Sequence, residues 1–145
     1  MRQQVLCLGI IFGFIVPLST LDANTTSALG IENYHWRIAK YRGDGTQKGD
    51  EQGLIDATIP AKITLAKGEV SGSAGCGALV GTYTLFGKHL INIKANFALA
   101  GLCSYEESVQ NQLILTALKG DLRIDEKDDH TFLRDTSGKA RVLLN

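Results

Sequence analysis

The sequence contains no cluster of basic residues. Its 15 lysines and arginines balance 15 acidic residues, for a formal net charge of +0. Nucleic-acid binding depends on neutralising phosphates with grouped Lys and Arg, so that partner class is excluded. Beyond Leu18 no apolar run reaches the length of a bilayer-spanning helix. No segment repeats at a fixed period, and no composition shift marks a second domain. With 145 residues, 44% of them hydrophobic and 21% charged, the chain suits one folded domain plus a short leader, not a disordered polymer.

Cysteine is also scarce, limited to Cys7, Cys76 and Cys103. Cys7 sits in an N-terminal segment with Arg2 ahead of an apolar stretch, Val5 to Leu18, broken only by Gly9, Gly13 and Pro17. Small and polar residues follow, with Ala23 and Ala28 as candidate positions before the cut; Thr26 ahead of Ala28 fits the small-x-small pattern better than Leu21 ahead of Ala23. This is the pattern of a secretory signal peptide, assigned to residues 1–23 with cleavage as late as 28. The apolar stretch is too short for a permanent anchor, and the placement of Cys7 offers no lipoprotein cleavage site. The expectation is an exported monomer, periplasmic or extracellular, with no stable membrane anchor. Cleavage leaves Cys76 and Cys103. An even pair in an oxidising compartment reads as a disulfide, not as a metal site or redox centre.

After a flexible lead-in over 24–32, the domain is expected to run from 33 to 145. Tyr34–Tyr41 alternates Trp36 and Ile38 with Arg37 and Ala39, which suits a first strand with one buried face and makes Trp36 a core residue. Arg42–Gly53 has no apolar residue and is expected to be a solvated surface loop. Its Asp44, Asp50 and Glu51 do not follow the calcium-loop spacing. Pro60 leads into Ala61–Leu65, which a Lys67-Gly68 turn joins to Glu69–Ser73 as a hairpin. A second hairpin pairs Gly81–Phe86 with His89–Phe97 through Gly87-Lys88, with Ile91, Ile93, Ala95 and Phe97 on one face.

Ser104-Tyr105-Glu106-Glu107 is a capping box that starts a helix. Its buried stripe is expected at Tyr105, Val109, Leu113 and Ala117, widened by Ile114 and Leu118, with Lys119 and a left-handed Gly120 at its end. Asp121–Asp125, His130–Arg134 and Ala140–Asn145 then form a three-stranded meander, with Asp128 and Asp129 at a solvated hairpin tip.

The glycines at 72, 75, 77 and 81 invite a phosphate-binding reading. A P-loop requires a closing Gly-Lys-Ser/Thr, and here the run ends Val80-Gly81-Thr82. The Gly75, Gly77, Gly81 spacing misses the dinucleotide fingerprint by one, with no parallel βαβ unit around it. Bends and close strand approach explain these glycines better. No cofactor and no metal are expected, since His35, His89 and His130 are far apart. Cys76 as a nucleophile, with one of those histidines as base, matches no local cysteine-hydrolase signature.

Taken in order, Trp36, the run Val70-Ser71-Gly72-Ser73-Ala74-Gly75-Cys76, then Gly81-Thr82-Tyr83, then Cys103 ahead of a capped helix and a closing meander resemble the META domain family of heat-shock and envelope proteins. The resemblance runs from about Trp36 to the C-terminus. It departs from the family at Gly77, where Asn is usual, and in the segment leading into Cys103. It implies a mainly β α+β fold, a twisted antiparallel sheet curled toward a half-barrel with one helix packed against it. It also implies an exported protein tied to stress or drug tolerance, with no catalytic residue. The leading expectation is a non-enzymatic module that contacts an envelope protein or takes a small apolar ligand between helix and sheet. The alternatives are a small cysteine hydrolase using Cys76, or a protease-inhibitor-like protein presenting the 42–53 loop.

Overall fold

Left-handed turn residues fold the chain into hairpins. Lys67 and Gly68 have φ of 53° and 81°, and Asp128 and Asp129 have φ of 51° and 62°. Two successive positive values suit a type I′ turn, whose twist matches that of the strands it joins. The computed structural model describes residues 30–43, 50–98 and 101–145. The leader, the 24–29 part of the lead-in and Asp44 lie outside the described residues.

The strands are β1 (His35–Arg42), β2 (Leu54–Asp56), β3 (Lys62–Ala66), β4 (Glu69–Ser73), β5 (Ala78–Phe86), β6 (Leu90–Ala98), β7 (Gly120–Lys127), β8 (His130–Arg134) and β9 (Ala140–Leu144). The helix α1 (Tyr105–Leu118) joins β6 to β7. Strands β3 to β9 pair antiparallel in chain order. β1 pairs with β3 through His35–Arg37 and with β9 through Ile38–Tyr41. The expected curl is present, and the β1–β9 ladder carries it round into a ring. β2 adds outside that ring, antiparallel to the end of β1.

Alternation along the strands fills the interior. Ile63, Leu65, Leu79, Ile93, Leu133, Val142 and Leu144 are fully buried in one cluster with Ile114 and Leu118 of α1. The helix lies against β1, β6 and β9. A bulge between Ile38 and Lys40 resets the phase of β1, so that Tyr41 faces the core alongside Ile38. Trp36 packs against the core only partly buried, and its indole N–H donates to the Ile31 carbonyl at 2.8 Å.

Three expectations need correction. The lead-in is not loose at its end: Ile31 is buried in the core, and the Asn33 amide donates to Leu65 O at 2.8 Å. The far end of the 42–53 loop is not merely solvated. It forms a short 3-10 turn (Glu51–Gly53) and leads into β2, where Leu54 packs with Phe132, Ala140 and Leu143 in a second, outer cluster. The expected buried stripe of α1 holds at Ile114, Ala117 and Leu118 but not at its start. Tyr105 is 80% exposed and Val109 38%, while Gln110, Asn111, Ile114, Ala117 and Leu118 are buried. Two amides had hidden that stripe from a hydrophobic reading.

Candidate functional site

The signature run Val70–Tyr83 is where the sheet and the helix are tied together. Val70 is buried on β4, Ser71 is exposed, and Ser73 ends that strand half-buried. Gly72 passes so close to Lys62 that a Cβ would collide with the Lys62 carbonyl, and Gly81 stands likewise against Lys94 and Ala95 on β6. Ala74 is fully buried at the corner itself. Gly75 has φ of 128° and a Cβ there would lie 3.2 Å from Ile59 Cγ2. Gly77 has φ of 77°, the left-handed region that Gly and Asn both adopt, so the family's usual Asn fits here as a turn residue.

The helix supplies the corner's hydrogen bonds. Gln110 Nε2 donates to Ile59 O at 2.8 Å and to Ala74 O at 2.9 Å, while its Oε1 accepts from the Ile59 amide at 3.2 Å. Asn111 Nδ2 donates to Cys76 O at 2.6 Å, and its Oδ1 accepts from the Cys76 amide at 3.4 Å. An irregular corner cannot pair its backbone in a ladder, and buried unpaired amides are costly. Both side chains were overlooked in the sequence. Adjacent amides at 110–111 inside an otherwise apolar helix face were the available signal.

Cys76 and Cys103 are joined in a disulfide with Cα atoms 5.7 Å apart, which ties the corner to the residue before the Ser104 cap. The capping box is formed as expected, with the Glu107 amide donating to Ser104 Oγ at 3.2 Å and the Ser104 amide to Glu107 Oε2 at 2.7 Å. Neither sulfur is a free thiol. Of the candidate bases, His35 bonds Thr64 Oγ1 at 2.8 Å and His130 bonds Asn145 Oδ1 at 2.9 Å. Tyr83, the last signature residue, is buried and its hydroxyl donates to the Glu32 carboxylate. Burial, reinforced by that carboxylate, raises its pKa.

A second polar centre lies on the outer face. Arg134, with only 7% of its side chain exposed, meets Asp50 at 2.6 Å, Glu51 at 3.0 Å and Asp125 at 2.7 Å. Its guanidinium carbon lies 5.1 Å from the centre of the Phe132 ring. Desolvation opposes the charge on Arg134, but the hydrogen bonds to Asp125, Asp50 and Glu51 outweigh it and raise the pKa. Asp50 also accepts from the Ala140 amide at 2.8 Å, and that bond leads the causes that lower its pKa, followed by contact with Arg134. The 50–53 segment is therefore clamped to β7, β8 and β9. Among the described residues, no group of three or more His, Cys, Asp or Glu side chains is arranged to hold a metal.

Near the disulfide three large apolar side chains are exposed. Leu102 is 104% exposed, and Tyr105 and Val109 stand one turn apart on α1. None of these three serves the core.

The family model of the META domain matches residues 29–145, a span that takes in every described residue. No curated protein sequence matches the chain. Among solved structures the chain is similar to the NMR structure of a protein from Burkholderia xenovorans, at a TM-score of 0.55 and 14% identity, over 100% of this chain and 97% of that one. At that identity the likeness is one of fold.

Proposed function

The chain belongs to the META domain family, and from that premise we propose that it is an exported, non-enzymatic interaction module that docks an envelope protein under stress. The observation that carries this reading is the exposed apolar group Leu102, Tyr105 and Val109 beside a disulfide-held corner. Apolar side chains left in water on a rigid support favour association. Two further features support it. The signature residues and their helix partners are spent on holding the corner, with Cys76 in a disulfide and so without a thiolate for hydrolysis. Large aliphatic side chains occupy the space between helix and sheet, which favours a protein partner over an apolar ligand held inside.

The test is a cross-linked capture from the native envelope, comparing wild type with a Leu102→Ser/Tyr105→Ser/Val109→Ser variant of equal thermal stability. The reading expects a protein band present with wild type and lost with the variant. Identical captures would refute it. Export is checked separately, by sequencing the N-terminus of protein recovered from outside the cytoplasm; cleavage is expected after Ala23 or Ala28.

A further inference from the structure

Strand β6 is fully paired on one side only. It meets β5 along its whole length, from Leu90 to Ala98, whereas β7 reaches it only from Leu90 to Ile93. Past Ile93 its neighbour is α1, which runs back along β6 before β7 begins at Gly120. A helix spends its main-chain groups internally and cannot continue a strand's ladder. The Ile124 amide donates to His89 O at 2.8 Å, so the odd-numbered residues from His89 onward turn N–H and C=O toward β7. Ala95 and Phe97 continue that phase beyond the last β7 pair. Neither has a main-chain hydrogen bond on that side among the described residues. Ala95 is buried and Phe97 only half-buried, so the edge is reachable at Phe97.

An open groove of about 460 Å³ lies there between β6 and α1. It follows an edge of the sheet and not a face, so the successive residues Asn96 and Phe97 both line it. Leu115 and Gln112 line it from the helix, and no charged residue borders it. Phe97 and Leu115 supply an apolar wall packed on the core. The Asn96 and Gln112 side chains are exposed and bond no other described residue. Each primary amide offers donors and an acceptor.

We propose that this groove takes an extended, uncharged peptide segment of a partner protein, added as a short strand beside Phe97. The N–H and C=O of Phe97 pair with one residue of the segment, as in strand addition at a sheet edge. Asn96 and Gln112 bond its main chain from the strand and from the helix. An apolar side chain of the segment rests on Phe97 and Leu115. A charged segment is disfavoured, because the groove would desolvate the charge and offers no partner for it. Leu102, Tyr105 and Val109 do not line the groove, so binding here can fail while docking through them stands.

A phage-displayed library of short linear peptides is panned on the purified, disulfide-bonded protein. The recovered sequence is synthesised with capped ends and a fluorescein tag, and binding is read by fluorescence anisotropy. The expected result is saturable binding of an uncharged peptide. Asn96→Lys/Gln112→Lys should weaken it by about tenfold or more while melting like wild type, since both positions are exposed and unbonded. N-methylating alternate peptide amides should weaken binding about tenfold in one phase and not the other, the scale of one lost hydrogen bond. Leu102→Ser/Tyr105→Ser/Val109→Ser should bind the peptide as wild type does. The proposal is overturned if panning yields only charged peptides or none, or if the lysine variant binds as tightly. It is equally overturned if neither N-methylated peptide is weakened, or if the serine variant loses binding. A dimer in sedimentation that the lysine variant dissolves would also overturn it, by making a second copy the occupant.

Discussion

Asn111 bonds both backbone polar groups of Cys76, donating to its carbonyl at 2.6 Å and accepting from its amide at 3.4 Å. One residue of the signature corner is therefore held twice, by an amide on α1 and by a disulfide at the start of that helix. Asn111→Leu keeps the volume but leaves two polar groups of the corner unpaired. The expected loss is about 1–3 kcal/mol in urea denaturation, the range for stranding a buried hydrogen-bonding group. A loss near zero would show that water replaces the amide.

Removing the disulfide by Cys76→Ser/Cys103→Ser should cost about 3–4 kcal/mol on the chain-entropy estimate for the 27-residue separation. Combined with Asn111→Leu, the cost should not be additive, since both changes loosen the same residue. A double-mutant cycle in denaturant checks this. Simple additivity would mean that the two ties act on separate parts of the corner.

Acid should release the clamp at Asp50. Its folded-state pKa is lowered, chiefly by the Ala140 amide and further by Arg134. The resulting stabilisation is fully present above the unfolded aspartate value of about 3.9. It is lost as pH falls through the folded value. Asp50→Asn should therefore lose less stability than wild type on acidification from pH 6 to 3, measured by thermal melting. Arg134→Leu should destabilise at neutral pH by less than the about 3–5 kcal/mol of a broken fully buried pair. The carboxylates it strands are 39–51% exposed and regain water.

The glycines of the signature should separate into two kinds. A Cβ on Gly81 would lie 2.6 Å from Ala95 Cα, a backbone contact that no rotamer change relieves. Gly81→Ala should cost about 1–3 kcal/mol, as overpacking does. Gly77 has φ of 77°, a left-handed conformation that Asn adopts more readily than most residues, so Gly77→Asn should stay within about 0.5 kcal/mol of wild type. Denaturation midpoints of the two variants make the comparison. A larger loss for Gly77→Asn would reject the turn assignment.

Most hairpins were legible because their signals are local. Lys67-Gly68 and Asp128-Asp129 provide the turns, and Ile91, Ile93 and Ala95 alternate inward as expected. The capping box at Ser104 was equally plain, since its two bonds span three residues. The first half of the face that α1 buries was not. Gln110 and Asn111 look solvent-facing until their acceptors are known, and those acceptors lie up to 51 residues away.

By itself the amino-acid sequence determined the strand pattern, the helix start, the cysteine pair and the family, because each follows from spacing and residue type along the chain. Only the tertiary structure decided what surrounds each polar group. Arg134 finds Asp50 from 84 residues away, which turns the end of an apparently free loop into a clamp. Register likewise places Arg37 directly against Lys62. A charge in a sequence has no fixed neighbourhood; the closing of the ring assigns one.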